Sequence, residues 1–491
     1  MAQKNTPKGP EWYQSSRTPL CDRRHVKFHW ILVGAILPLS ADAQLAVRAC
    51  RVAGLAEDVR CATVEVPENR EIRTGRTIEL RVVVLPSRAQ SDGPRHTLFY
   101  LVGGPGLAAT PLADLVAGAH AATRATHDIV LVDQRGTGGS NPLRCALYGA
   151  SGDVAAYLGD QFPVDSVRRC VRRLRSRADL AHYTTGNAVE DLEAVRARLG
   201  VDRIDIDASA YGTRVAIAYA HRYPARVRSM VLQSVIPDEE VLPLTAARDA
   251  QRALDRVFAD CAADPFCRTS FPALRREFTA LLARFGDSTI SVRVQHPRSD
   301  DSVTVALSRG VFADRLRVML YSTRLSRRIP MVIHRAYEGD WTPFTTLAYE
   351  LSRAVFDQLD AGAHLAAQCA EDMSAPADAA GTFLGEYRAR LYRDACAAVA
   401  VPPSARDRKA PIGITAMLVT GALDPVTPPR FAQSVAAQMP SATLITVPGM
   451  AHAGADPCVE GVISAFIVAG AMRRVDTSCV AKIAAPPFVT R

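Results

Sequence analysis

Three short stretches of the chain place residue types that could together carry out acyl transfer. Residues 203–213 read Arg-Ile-Asp-Ile-Asp-Ala-Ser-Ala-Tyr-Gly-Thr, an apolar β-type run passing into a helix-type run. A strained strand-to-helix turn that presents a nucleophile needs small residues two before and two after its apex, because its neighbours are crowded. Centring on position 210 puts Ala208 and Gly212 at those sites, whereas centring on Ser209 puts Asp207 and Tyr211 there, both too bulky. The predicted apex is therefore Ala210, a methyl where a serine hydroxyl is expected. Further on, Gly421-Ala422-Leu423-Asp424-Pro425-Val426-Thr427-Pro428 follows a β-type run, and twenty-eight residues after Asp424 stands His452. The order nucleophile, acid, histidine suits a relay in which the histidine takes the hydroxyl proton and the acid fixes the ring. Ahead of all three, Gly103-Gly104-Pro105-Gly106 offers backbone N–H groups that can approach a developing oxyanion closely.

These residues need an open sheet to hold them, since such sheets place their sites at the carboxyl ends of strands. Residues 61–66 and 79–85 form an expected hairpin around Arg73-Thr74-Gly75. Strands follow at Thr97–Val102, Asp128–Val132, Arg203–Asp207 and Ser229–Gln233, alternating with helical or loop stretches. The segment Ala188–Leu199 carries Val189, Leu192, Val195 and Leu199 on one helical stripe. After about residue 236 the strand pattern largely stops and helical spacing takes over, as in Leu254, Val257, Phe258 and Leu274, Phe278, Leu281, Leu282. Strands resume at Ala416–Thr420 and Thr443–Val447, after a proline- and charge-rich linker over 401–411. The expected fold class is α/β: a mostly parallel eight-stranded sheet with right-handed crossovers and an inserted, mainly helical cap. The expected segments are a leader over 1–43, the first part of the core over 44–236, a cap over 237–408 and the rest of the core over 409–491. Within the core, Asp133-Gln134-Arg135-Gly136-Thr137-Gly138 is read as bracing rather than catalysis.

Composition is compatible with this. Hydrophobic residues at 48% and charged residues at 22% are those of a globular chain able to bury a full core. The formal charge is +9, but residues 1–43 carry six Lys/Arg against three Asp/Glu, so the remainder carries +6. The arginines are scattered and not interleaved with aromatics, which argues against nucleic-acid binding. Arg23, Arg24 and Lys27 precede the apolar stretch Ile31 to Leu39, and Ala41-Asp42-Ala43 offers a small-x-small cleavage pattern. This predicts an export signal, too short to span a bilayer as a helix, and a secreted or periplasmic protein. Of 11 cysteines, Cys21 falls in the leader. The other ten lie in close pairs: Cys50/Cys61, Cys145/Cys170, Cys261/Cys267, Cys369/Cys396 and Cys458/Cys479. None has metal-ligand spacing, so the expectation is five local disulfides and no metal or other cofactor.

The chain resembles the secreted tripeptidyl-aminopeptidase-like branch of the α/β-hydrolases, relatives of proline iminopeptidases. The resemblance covers roughly residues 48–480 and rests on GGPG, DQRGTG, AYGTR (SYGT in the family), Cys369-Ala370-Glu371-Asp372, GALDPVTPP and the late histidine. Val102 replaces a histidine often found before GGPG, and Ala210 replaces the serine. The resemblance implies a serine hydrolase, most often releasing residues from a free N-terminus, with Asp424 and His452 completing the triad. Tyr211 and Gly104 (or Gly103) would supply the oxyanion N–H groups. It also points to Glu371, tethered through Cys369–Cys396, as the acceptor of a substrate's α-ammonium. The expected partner is a small peptide or ester. A carboxylesterase uses the same triad, and a binding protein on the same scaffold needs no nucleophile. Ala210 is read first as an engineered replacement, then as a natural pseudoenzyme, and last as a sign that Ser209 is the nucleophile.

Overall fold

The protein is described from a computed structural model covering residues 45–490, apart from 73, 90–94, 150–152, 287, 297–300, 374, 406–412 and 453. The expected leader, with Cys21, lies outside the described residues, as do Arg73 of the first hairpin turn and much of the linker.

The strands are β1 (Arg48–Cys50), β2 (Val59–Pro67), β3 (Thr77–Leu85), β4 (His96–Leu101), β5 (His127–Val132), β6 (Ile204–Ser209), β7 (Val227–Gln233), β8 (Thr289–Gln295), β9 (Ser302–Ser308), β10 (Thr415–Gly421) and β11 (Ala442–Val447). Nine of them form one sheet in the order β1-β2-β3-β5-β4-β6-β7-β10-β11. The first three strands and β5 pair antiparallel, and from β5 to β11 every neighbouring pair is parallel. The eight expected strands are all present. The ninth is the three-residue edge strand β1, whose Arg48 lies opposite Cys61 and whose Cys50 is disulfide-bonded to it. It is too short to show a period in the sequence.

Burial follows the layers. In β3, Ile78 and Leu80 are buried while Glu79 and Arg81 are exposed, but Val82, Val83, Val84 and Leu85 are all buried. The strand thus passes from a one-sided to a two-sided environment, where both faces carry helices. On one face Val82, Ile206, Ala208 and Leu418 pack under helices Thr185–Arg198, Tyr211–Arg222 and Pro429–Gln438. On the other, Val83, Leu131, Val231 and Val419 pack against helices Ala113–Ala119 and Pro457–Ala469.

Between β7 and β10 the chain is mostly helical, as expected, with one correction: β8 and β9 form an antiparallel hairpin, Ile290 opposite Leu307 and Val292 opposite Val305. The alternation Ile290, Val292, Val294 and Val303, Val305, Leu307 carried this signal. The helices of this segment share one apolar core, including Leu254, Leu281, Phe312 and Phe344, with Leu143, Phe162 and Val171 from the stretch between β5 and β6. All five disulfides join the expected neighbours: Cys50–Cys61, Cys145–Cys170, Cys261–Cys267, Cys369–Cys396 and Cys458–Cys479. Among the described residues no helix is long and apolar enough to cross a membrane.

Candidate active site

The carboxyl end of β6 turns into helix Tyr211–Arg222 at Ala210, whose φ of 49° and ψ of −121° no ordinary L-residue adopts without strain. Such a conformation costs on the order of 1–3 kcal/mol and persists only where its surroundings over-determine it. Here the Ala210 N–H donates to the Gln233 carbonyl (3.0 Å), tying the apex to the end of β7. The Ala210 carbonyl accepts from the Thr213 N–H (2.9 Å) and from Thr213 Oγ1 (2.5 Å), and Thr213 Oγ1 in turn accepts from the Ile236 N–H (3.0 Å). Ala208 is fully buried. A Cβ on Gly212 would overlap the Leu101 carbonyl and lie 2.9 Å from the Val102 oxygen. Gly212 is therefore a steric necessity of this turn, and Ala208 sits in its packed core. Ser209 lies on the opposite sheet face from Ala208, as alternation along β6 requires.

The GGPG loop meets the apex directly. A Cβ on Gly103 would sit 3.0 Å from the Ala210 methyl, 3.3 Å from the Ser209 oxygen and 3.7 Å from the Tyr211 nitrogen. Gly103 thus leaves open the space between its own backbone and the Tyr211 N–H. Gly104 has a φ of +120°, where a side chain would meet the nitrogens of Gly106 and Leu107.

Asp424 and His452 come from the loops after β10 and β11. The Leu423 N–H donates to the Met450 carbonyl (3.0 Å), and a side chain on Gly421 would strike the Met450 and Ala451 carbonyls, so the two loops are in backbone contact. Asp424 Oδ2 lies 2.9 Å from His452 Nδ1 and accepts from Thr427 Oγ1 (2.7 Å). Its Oδ1 accepts from the N–H groups of Val426 (2.7 Å) and Thr427 (2.8 Å). Burial alone would push the Asp424 carboxyl upward. The charge and hydrogen bond of His452, with the Thr427 contacts, outweigh it and hold the carboxyl below its ordinary value. Thr427 Oγ1 is also 3.1 Å from His452 Nδ1. Its one proton goes to Asp424, so Nδ1 carries the ring proton and Nε2 is left as the acceptor. The Tyr321 ring packs edge-on against His452 at 5.3 Å and its hydroxyl accepts from Arg317. Among the described residues no group of three His, Cys, Asp or Glu is placed to hold a metal ion.

The model of the alpha/beta hydrolase fold family matches residues 103–456, the span from the glycine loop to just past the histidine. The chain belongs to the α/β-hydrolase family. It is similar to the serine protease Hip1 of Mycobacterium tuberculosis, 26% identical over 332 residues, a match covering 62% of this chain and 63% of that protein. The match therefore spans less than two thirds of that relative. Carboxylesterase B of M. tuberculosis is 28% identical over 469 residues, 86% of each chain. The tripeptidyl aminopeptidase of Streptomyces lividans is 30% identical over 196 residues, 37% of this chain and 36% of that one.

Two acids from the inserted segment reach this α/β-hydrolase site. Glu371 ends helix Ala361–Glu371 beside the Cys369–Cys396 disulfide and is buried. Its Oε1 accepts from the Thr185 N–H (2.6 Å) and its Oε2 from Thr185 Oγ1 (2.7 Å). With that hydroxyl proton committed to Glu371, the Tyr211 hydroxyl donates to Thr185 Oγ1 (2.7 Å). Glu371 thus stands one hydrogen-bonded link from the residue after the apex. Burial pushes its carboxyl above the ordinary value; the two Thr185 bonds oppose this, and neighbouring Asp372 adds to it. Asp372 forms a buried pair with Arg214 (2.9 and 3.1 Å), one helical turn beyond the apex. Of the glycine-rich stretch after β5, Asp133 accepts from Thr110 and Gly139, and Arg135 from this stretch pairs with Asp191 (2.6 and 2.7 Å), which is bracing as expected. Sequence reasoning missed Thr427, Thr185 and Tyr321. Thr427 sat inside the motif containing Asp424, and Thr185 follows Thr184, an N-cap residue type before a helical stripe. Tyr321 carried no signal.

Proposed function

We propose that this scaffold is a secreted serine hydrolase acting by acyl transfer, an exopeptidase that cleaves from a free N-terminus, with Ala210 at the nucleophile position. The observation that carries the reading is the positive-φ apex at Ala210, flanked by Gly103 and the Tyr211 N–H, in a chain whose Asp424–His452 pair follows in hydrolase order. With a serine at 210, His452 Nε2 takes the hydroxyl proton as the oxygen attacks the scissile carbonyl carbon. The N–H groups of Tyr211 and of Gly103 or Gly104 hold the oxyanion. The imidazolium then protonates the leaving amine, and water repeats the cycle to free the acyl group. Asp424 holds the ring and stabilises its charged form.

A methyl group cannot attack a carbonyl, so the chain as it stands binds substrate without turning it over. We read Ala210 as an engineered replacement. The alternative of a natural binding protein is weakened by the hydrogen-bonded acid and histidine, which a binding role does not need. Peptide specificity is favoured by Glu371. Both its oxygens have lone pairs beyond those used by Thr185, and a carboxylate held out of water is a receptor for an α-ammonium. The esterase reading rests on the long match to a carboxylesterase. Export is supported by five disulfides. Restoring serine at 210 and screening aminoacyl-naphthylamides beside p-nitrophenyl esters tests the reading. Hydrolysis of free-amine substrates over their N-acetylated forms is expected; turnover of esters alone would assign an esterase.

A further inference from the structure

Behind the loop that carries Asp424 lies a cavity of about 300 Å³, closed on one side by Ala422 to Asp424 and Pro428 to Arg430 and on the other by helix Leu242–Ala263. Neither His452 nor Thr427 lines it, and the Asp424 carboxylate is committed to both of them, so this is not the catalytic cleft. Four arginines line it, Arg252, Arg256, Arg327 and Arg430, against three acids, Asp249, Asp260 and Asp424. The first two acids are each already bracketed by two of the arginines: Asp249 by Arg252 and Arg430, Asp260 by Arg256 (2.6 Å) and Arg327 (3.0 Å). With the Asp424 carboxylate of the loop wall also counted, one positive charge is left over.

Arg327 is the deep member, about nine-tenths buried, with Phe488 stacked on its guanidinium plane at 4.3 Å. Its Nε and Nη1 have no hydrogen-bond partner; Nη1 lies 3.0 Å from Asp260 without bonding geometry. A buried guanidinium edge whose N–H groups lack well-aligned acceptors is costly, and here Arg327 borders a cavity. Burial also holds the Arg430 guanidinium below its ordinary value, which Asp249 does not fully offset. Apart from Ser326, the remaining wall is apolar, with Val257, Leu320, Leu423 and Pro428.

We propose that this cavity binds a small aliphatic carboxylate, its oxygens on Arg327 and Arg430 and its hydrocarbon body on the apolar wall. The volume lies at the small end of ligand pockets, and a planar carboxylate matches the guanidinium fork. Because the acid loop forms one wall, occupancy would tighten that loop against the inserted helix.

Calorimetric titration of the full chain with hexanoate, acetate, inorganic phosphate and hexylamine tests this without any hydrolytic activity. The expected result is saturable 1:1 binding of hexanoate, at least tenfold tighter than acetate or phosphate, and none of hexylamine. Arg327→Met should weaken hexanoate at least tenfold. Should that variant fail to fold, Ala253→Phe, which fills the cavity from its half-buried lining and leaves every charge in place, should abolish binding by itself. Absence of saturable hexanoate binding, phosphate binding more tightly than hexanoate, or full hexanoate affinity in folded Ala253→Phe would each overturn the proposal.

Discussion

Replacing Ala210 with serine is the perturbation with the largest expected consequence. The backbone is already in the strained apex conformation, held by Gln233, Thr213 and the steric demand at Gly212. Adding one oxygen to a half-buried side chain leaves those restraints untouched, so stability should change by less than about 1 kcal/mol. Activity should change far more. Loss of a triad nucleophile typically costs on the order of a millionfold in kcat, about 8 kcal/mol of transition-state stabilisation. The reverse substitution should recover most of it, because the Asp424–His452 bond at 2.9 Å is in place. A fluorophosphonate probe read by intact mass, together with initial rates on aminoacyl-naphthylamides, measures both ends. The unmodified chain should not label; Ala210→Ser should label at one site and hydrolyse. Ser209 lies on the other face of β6 from Ala208 and precedes the apex, so adding Ser209→Ala to Ala210→Ser should keep most of the rate. Labelling of the unmodified chain that disappears in Ser209→Ala would refute this geometry, and a folded but inert Ala210→Ser would refute the catalytic reading.

The same contacts set the remaining expected outcomes. Thr427→Val removes the hydroxyl from buried Asp424 Oδ2, at a cost of about 1–3 kcal/mol. Since the Asp424 carboxyl is held low in the folded state, its stabilisation is present above the ordinary carboxylate range and lost as pH falls through the lowered value. The variant's acid-unfolding midpoint, followed by circular dichroism, should therefore move to higher pH; an unchanged midpoint would discount the Thr427 bond. In the serine-restored enzyme, Glu371→Gln should depress kcat/KM for free-amine peptides by the equivalent of about 2–5 kcal/mol, with much less effect on esters; equal effects would remove Glu371 from substrate recognition. Because burial raises the Glu371 carboxyl, KM for peptides should climb as pH falls toward that raised value, with no counterpart for esters. Alkylation without reduction should modify none of the ten cysteines paired here, and removing the 27-residue Cys369–Cys396 link should cost about 3–4 kcal/mol by loop entropy, read as a fall in Tm.

Much of this architecture was legible because several residues repeat the same instruction. The elbow is written in Ala208, which is fully buried, in Gly212, where a side chain would overlap the Leu101 carbonyl, and in the β-to-helix change around them. Asp424 and His452 announced themselves by following strands. The disulfides were legible from spacing, since each closes a local loop. What escaped were features with too few residues to set a period, such as β1, or contacts between distant segments. The β8–β9 hairpin had an alternating pattern but sat among helices whose 3.6-residue spacing dominated its surroundings. Glu371 was placed by resemblance alone. That it reaches Tyr211 through Thr185 depends on three segments meeting, each uninformative by itself.

The redundancy also explains how the apex can hold an alanine. The turn is fixed by the Ala210 N–H and carbonyl, by Thr213 and Gln233, and by the absence of side chains at Gly103 and Gly212. None of these restraints uses the side chain of residue 210, since helix Tyr211–Arg222 has no side-chain cap at its N-terminus. The strain of about 1–3 kcal/mol is balanced by neighbours that remain whether or not a hydroxyl is present. In the proposed reading, position 210 can therefore lose its nucleophile while the backbone geometry that would present it stays intact. The acid and histidine, on separate loops held by Thr427 and the Met450 carbonyl, are likewise independent of it.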